Sequence, residues 1–322
     1  MTETLMAVSC AVLPERGEDS FALGQDEHSA YLCVADGCGG LGSKRYELLG
    51  GCTGAYAASR LATRVFSRWV QSSLHLPADP ASGRRLCAEM EEMFAKAFRD
   101  FAARFCAEER SRIAGSMQRT LPAVFCAACI HQSDVCFAWA GDSRGYVLDR
   151  QGLHQCTQDH LRPEMDAFES LYRDAPLASL ISADQKPVIS MRRLRLSQPC
   201  VVLTATDGGY SSLLTPMEFE FLLLDTLHSA QSWSSWEKKL SNRLQKMAQD
   251  DATLLLKPCG TEGFEELKTL LEERRTELQK QFVTPVRRHR KDAAYAREKW
   301  KVYRTNYDWT EGGSHERMDW RV

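Results

Sequence analysis

Ala30-Tyr31-Leu32-Cys33-Val34-Ala35-Asp36-Gly37-Cys38-Gly39-Gly40 is the stretch on which the fold turns. The run from Ala30 to Ala35 is short, apolar and stopped by glycines, as a buried strand is. Asp36 stands at its end, where the sheet behind holds a carboxylate rigidly. The adjoining glycines let the backbone, the Gly37 carbonyl included, approach whatever the carboxylate binds. Hard divalent cations such as Mg²⁺ take carboxylates, carbonyls and waters in this arrangement. Taken alone, the motif reads equally well as a strand followed by a glycine turn.

Three further acidic positions share the same local grammar. Glu18-Asp19 precede an alternating, strand-like segment at 20–23. Asp207 follows the apolar run 201–205 and is itself followed by Gly208-Gly209. Asp250-Asp251 open the apolar strand expected at 252–256. Four acidic strand ends in one chain point to a cluster, because carboxylates gathered in one place repel one another until a cation neutralises them.

At this point the chain resembles the metal-dependent PPM (type 2C) serine/threonine protein phosphatases. The resemblance rests on six collinear motifs across roughly residues 5–257. They are Glu18-Asp19, Val34-Ala35-Asp36-Gly37-x-Gly39-Gly40, Ala140-Gly141-Asp142-Ser143-Arg144, Thr157-x-Asp159-His160, Thr206-Asp207-Gly208 and Asp250-Asp251-x-Thr253. It implies a two-ion Mn²⁺ or Mg²⁺ site in which Asp36 bridges the ions, the Gly37 carbonyl holds one, and Asp207 and Asp250 hold the other. Glu18 would hold a water at the ions, with Asp19 behind it. Asp142 stands where the family places a ligand of a weaker third metal. The implied reaction is hydrolysis of phosphoserine and phosphothreonine in proteins by a water activated at two metals.

Three positions depart from the family's pattern. Pro14 stands where many members have the arginine that binds the substrate phosphate, so Arg16 is the candidate for that contact. Cys38 replaces a histidine general acid found in many eukaryotic members. Ser211 stands where many members have an aspartate for the third metal. The two-metal set Glu18, Asp36, Asp207 and Asp250 is complete, which favours an enzyme over a phosphatase-like binding module without activity. A different two-metal phosphoesterase would need histidine-rich ligation. No Cys-x5-Arg loop or nucleophile elbow is present.

The chain has 322 residues, enough for one large domain and an appendage. It is 43% hydrophobic and 26% charged, an ordinary globular balance. No apolar run is long enough to span a membrane, and the first residues show no export signal. The 12 cysteines follow no framework spacing and are expected to be reduced, in a cytoplasmic protein. Cys126-x-x-Cys129 lies in a strand-like run and is read as core packing.

The remaining elements follow from periodicity and punctuation. Long helices are expected from Tyr46 to about Leu74, from Arg85 to about Arg112, and over 215–246 behind the start Thr215-Pro216-x-Glu218. Residues 75–83 read as a loop on their Pro and Gly. Residues 161–190 read as a substrate-facing flap, the place the resemblance gives to the family's variable segment. Two or three strands are expected between 123 and 148, and others at 188–196 and 199–206. The class is therefore α+β. The resemblance sharpens it to a β-sandwich of two antiparallel sheets flanked by pairs of antiparallel helices, followed by a C-terminal helical tail.

Composition changes after Pro258, dividing the chain into a phosphatase domain (1–258) and a helical, basic and aromatic extension (259–322). A charged helix is expected over 262–282. Residues 287–304 carry a net charge of +6 against −8 for the rest of the chain. Basic residues interleaved with Tyr295, Trp300 and Tyr303 suit nucleic acid. They suit docking on an acidic protein body still better, so the tail is expected to pack on this chain or on a protein partner in preference to nucleic acid. The resemblance implies a phosphorylated protein as substrate and a cognate serine/threonine kinase, and a monomeric chain without a membrane partner is expected.

Overall fold

The computed structural model describes residues 4–13, 16–73, 76–77, 79–106, 118–196, 199–247, 249–308 and 317–320. In chain order the first half contains β1 (Met6–Cys10), β2 (Ser20–Gln25), β3 (Ser29–Gly37), β4 (Arg45–Tyr46), β5 (Cys52–Thr53), α1 (Gly54–Ser73) and α2 (Pro80–Phe105). It continues with β6 (Ala123–His131), β7 (Asp134–Ala140), β8 (Arg144–Asp149) and β9 (Gly152–Gln155). The second half contains β10 (Ser190–Arg195), β11 (Cys200–Ala205), α3 (Pro216–Ser229), α4 (Trp233–Met247) and β12 (Ala252–Cys259). Helices α5 (Phe264–Leu278), α6 (Thr284–Arg288) and α7 (Ala293–Tyr307) and strand β13 (Arg317–Trp320) complete it.

Two antiparallel sheets stack face to face, ordered β1-β12-β11-β8-β9 and β13-β10-β7-β6-β3-β2. Alternation along β3 shows how one strand serves two cores. Leu32 and Val34 face the opposite sheet with Val147, Val202 and Leu255. Tyr31, Cys33 and Ala35 face α1 and α2, against Phe66, Phe94 and Phe98. With both faces covered, β3 reads as a continuous apolar run. The same alternation splits the Cys126-x-x-Cys129 pair, with Cys126 between the sheets and Cys129 on the helix side.

Three helix boundaries differ from the expected ones. The first long helix begins at Gly54 instead of Tyr46, because Gly50 and Gly51 adopt left-handed φ of 69° and 78° and turn the chain back into the β4–β5 hairpin. Thr53 then caps α1, its Oγ1 accepting from Tyr56 N (3.0 Å). The loop expected over 75–83 is helical from Pro80 onward, because Asp79 forms a reciprocal cap with Ser82 and proline suits the first helical position. Residues 74, 75, 78 and 107–117 lie outside the described ones. The helix expected over 215–246 is two helices, since Ser232 starts α4 with bonds from Ser235 N to its Oγ and from Trp236 N to its carbonyl.

Helices α3, α4, α5 and α7 cover the outer face of the five-stranded sheet in a single apolar cluster. Composition set residues 259–322 apart, yet Leu267, Leu271, Phe282, Trp300, Tyr303 and Tyr307 share that cluster with Leu203, Leu222 and Trp236. Inside it, Glu220 of α3 accepts two bonds from Arg274 of α5 (2.7 and 3.1 Å) and one from the Tyr303 hydroxyl of α7. A buried carboxylate is tolerable only when paired in this way. Leu271, 1% exposed, reports on how tightly this part is coupled to the rest. Leu271→Ala should cost about 2–5 kcal/mol, seen in urea denaturation as a shift of one cooperative transition. A separate early transition, with the main one unmoved, would mean that the C-terminal helices unfold independently.

Candidate metal centre

Antiparallel register carries the acidic residues to one end of the sandwich. Ala35 pairs with Ser20, so Asp36 and Gly37 lie beside Glu18 and Asp19, and Gly37 N donates to Glu18 O (3.2 Å). Phe125 of β6 pairs with Ala140 of β7, which delivers Asp142 to the same end. Ala205 of β11 pairs with Leu254 of β12 and with Arg144 of β8, which brings in Asp207 and the pair Asp250-Asp251. Asp36 continues the parity of Leu32 and Val34, so it lies between the sheets. Two glycines are dictated by this crowding. A β-carbon on Gly37 would strike the Ala55 carbonyl at the start of α1, and one on Gly208 would strike the Asp251 carbonyl.

Around this cluster the supporting bonds are specific. Glu18 Oε1 accepts from Thr53 Oγ1 (2.5 Å), the same hydroxyl that caps α1. Asp251 accepts from Val12 N (2.8 Å) and Glu18 N (2.6 Å), pinning the loop that carries Glu18. Asp19 Oδ2 accepts from Thr206 Oγ1 (2.8 Å), whereas its buried Oδ1 has no hydrogen-bond partner in the protein. Asp250 is exposed, its Oδ1 accepting from Asp251 N. The Asp159 carboxylate takes a bidentate bond from buried Arg144, and Arg144 lies over the Tyr210 ring. His160 is occupied structurally, with Nδ1 accepting from Gly141 N and Nε2 bonded to Ser190 Oγ.

Electrostatically the cluster is strained by its own charge. Burial, then the charges of Asp207, Asp19, Asp142 and Asp250, push the Asp36 carboxyl well above the usual carboxylate range. Burial followed by Asp207 pushes Asp142 up to about 7. Burial followed by Asp250 raises Asp207. Among the described residues, no three His, Cys, Asp or Glu side chains form a ready-made donor set converging on one point. The chemistry of the groups still fits divalent cations. The donors are carboxylates that repel one another, one of them with an orphaned buried oxygen, and an all-oxygen set suits Mg²⁺ or Mn²⁺.

Sequence reasoning missed Thr53 and Arg45, and it placed Asp251 in the acidic cluster without giving it a role. Arg45 is the register partner of Thr53, so their side chains share one face of the hairpin. Its Nη1 donates to Gly51 O (2.7 Å). Burial raises the Glu18 carboxyl; the Thr53 hydrogen bond and, least of all, the Arg45 charge act the other way. A strand hidden in a helical-looking stretch left no signal for it. Arg16 is exposed in the turn that follows Leu13. Cys38 is half-buried beside Asp36, Asp142 and Asp207, and burial first, then those charges, pushes its thiol well up. A cleft of about 350 Å³ opens beside Asp142 and Asp207, its far wall formed by residues 171–175.

A family model for protein phosphatase 2C matches residues 11–250. The chain belongs to that family. As a protein phosphatase 2C, it is a metal-dependent protein serine/threonine phosphatase that works with two Mn²⁺ or Mg²⁺ ions. Solved structures agree in fold. The Staphylococcus aureus serine/threonine phosphatase Stp1 covers 81% of this chain and 96% of its own, with a TM-score of 0.60 at 15% identity. The Mycobacterium tuberculosis phosphatase PstP/Ppp covers 81% and 100%, with a TM-score of 0.53 at 19% identity. A PstP catalytic domain in complex with two manganese ions covers 80% and 98%, with a TM-score of 0.52 at 15% identity. No curated protein matches the chain.

Carboxyls raised in the folded state bind more protons folded than unfolded, from about pH 4, the unfolded value, to about 7, where Asp142 titrates. Stability without metal therefore falls as pH rises through that window. A divalent cation takes the place of those protons, so the gain in Tm on adding Mn²⁺ should be larger at about pH 7.5 than at about pH 5. Equal gains at the two pH values would locate ion binding away from these carboxylates.

Proposed function

We propose that Asp36, the Gly37 carbonyl, Asp207 and Asp250 hold the two ions, with Glu18 and Asp19 orienting the attacking water. The observation that carries this reading is that all these residues, from the ends of four strands, β2, β3, β11 and β12, gather at one end of the sandwich. When bound, a pair of divalent ions supplies hydroxide near neutral pH and neutralises charge on the phosphoryl group. Thr53 holds the Glu18 carboxylate from one side, while the Gly39 backbone packs on its other oxygen. Thr206 holds Asp19 in the same way. Asp142 is the candidate for a weaker third ion, where Ser211 supplies no carboxylate.

The phosphoryl oxygens also need a cation from the protein. Arg16 and Arg45 are the two candidates, and Arg45 has the better support because the β4–β5 hairpin anchors it on the same face as the Thr53–Glu18 bond. The substrate is a phosphorylated protein made by a serine/threonine kinase, acted on by a monomeric cytoplasmic enzyme. Among the described residues, no helix is long and apolar enough to cross a membrane.

Asp36→Asn and Asp207→Asn keep side-chain shape but remove charge. Each should lower Mn²⁺-dependent turnover of p-nitrophenyl phosphate and of a phosphothreonine peptide on the order of 100-fold or more, the scale of losing a preorganised charge-stabilising group. Arg45→Ala should raise KM with kcat largely kept, as loss of uniform binding does. Wild-type turnover by either aspartate variant at saturating Mn²⁺ would refute the metal assignment.

A further inference from the structure

The segment 161–189 contributes Leu161 and residues 170–175 to the cleft beside Asp142 and Asp207, yet its only helical element is one three-residue turn at Glu169–Leu171. Before β10 begins at Ser190, the isolated bridges Leu161↔Leu177 and Ala123↔Ile181 are the only strand-like pairings of this segment among the described residues. A segment with so little backbone pairing takes its shape from side-chain anchors. Two such anchors act on the turn from opposite sides. From beneath, Arg144 Nη2 donates to Ser170 Oγ (2.6 Å). From outside, the anchor is α7, beyond the part of the chain that the family model covers.

The α7 contacts centre on Asp166. Its Oδ1 closes the turn itself, accepting from Phe168 N (3.0 Å) and Glu169 N (2.8 Å). Its Oδ2 faces the other way and accepts from Trp300 Nε1 (3.1 Å) and Arg304 Nη1 (3.2 Å). One carboxylate thus shapes the turn and fastens it to the helix. The Trp300 ring stacks on Phe168 at 6.2 Å and 22°, and both rings are 2% exposed. Arg297 adds an ion pair to Glu169 (3.3 Å) and lies over the Phe168 ring. Beyond the turn the chain runs directly into the cleft wall, where Tyr172, Arg173 and Asp174 are exposed. Tyr172 closes the far end through its hydroxyl, which donates to Leu214 O (2.6 Å).

We propose that α7 is a positioning element of the substrate cleft: Trp300, Arg297 and Arg304 fasten the turn at Asp166–Glu169 and so fix the wall at 171–175, against which the peptide flanking the phosphorylated residue lies. The inference rests on the phosphatase reading above. It separates two functions. The carboxylates act on any phosphate monoester that reaches them, whereas recognition of a protein substrate depends on a wall held by the C-terminal helix. An aryl phosphate is too small to need that wall; a phosphopeptide spans it.

The test uses the full chain carrying Trp300→Phe with Arg304→Gln, which removes both α7 donors to Asp166 Oδ2 while leaving a ring on Phe168 and the turn's own Oδ1 bonds. A second variant, Arg297→Gln with Arg304→Gln, changes only half-exposed side chains and retains the buried tryptophan. Hydrogen exchange over 166–175 should accelerate about tenfold or more in the first variant and less in the second, the ordering expected when local opening becomes easier. KM for a phosphothreonine peptide should rise about tenfold, with kcat and the Mn²⁺-dependent turnover of p-nitrophenyl phosphate within about twofold of wild type, the split expected when only substrate binding is lost. Unchanged exchange over 166–175 in both variants overturns the proposal, as does an unchanged peptide KM or an equal loss on both substrates. Failure of the phosphatase reading would look different: wild type itself would lack Mn²⁺-dependent turnover, while the exchange experiment would still report on the fastening.

Discussion

Like charges forced together are the constraint on which the structure depends. Asp36, Asp19, Asp142 and Asp207 stand at one end of the sandwich, each raised in pKa by burial and then by a neighbouring carboxylate. Apolar strands place them there. The chain has to hold these groups against their own repulsion, and it does so with rigid backbone. Two sheets covered on both faces supply that rigidity. Hydroxyls at Thr53 and Thr206 and backbone N–H groups at Val12 and Glu18 tie down the loops between.

The helical layers divide the work unequally. Helices α1 and α2 cover the six-stranded sheet, and the N-terminus of α1 reaches the site through Thr53, one hydroxyl that both caps the helix and holds Glu18. On the other side, α3 is buried nearly all round, with Phe219, Leu222, Leu223 and Leu224 in one core cluster. A helix apolar on every face needs cover beyond a single sheet. Helices α5 and α7 provide it, with Glu220 paired internally to Arg274 and Tyr303. The same α7 that completes this core reaches over to Asp166, so folding of the C-terminal segment and the shape of the substrate cleft are mechanically linked.

Much of this was legible in the residues. Strand–Asp–Gly at Asp36 and Asp207 is local chemistry, and so is the Thr215-Pro216 helix start, which the structure shows with Thr215 Oγ1 accepting from Glu218 N. What escaped was set by distance or by a short override. Gly50-Gly51 interrupt a stretch whose Ala, Leu and Arg content favours helix, which hid the hairpin and Arg45. Asp79-Pro80 read as a loop because Pro punctuates turns, although the same pair is also a helix start. Asp251 and Asp166 reveal their roles only through partners 233 and 134 residues away. The apolar run Phe219-x-Phe221-Leu222-Leu223-Leu224 was a usable signal that α3 would be buried from several sides.

The central claim is that these strand-end carboxylates exist to hold two cations. Anomalous-difference crystallography on Mn²⁺-soaked crystals tests it most directly. Two manganese peaks are expected at this end of the sandwich, both within coordination distance of Asp36, with Asp207 and Asp250 on one of them. Manganese bound only elsewhere on the chain, with Asp36 and Asp207 free of any peak at saturating Mn²⁺, would contradict it.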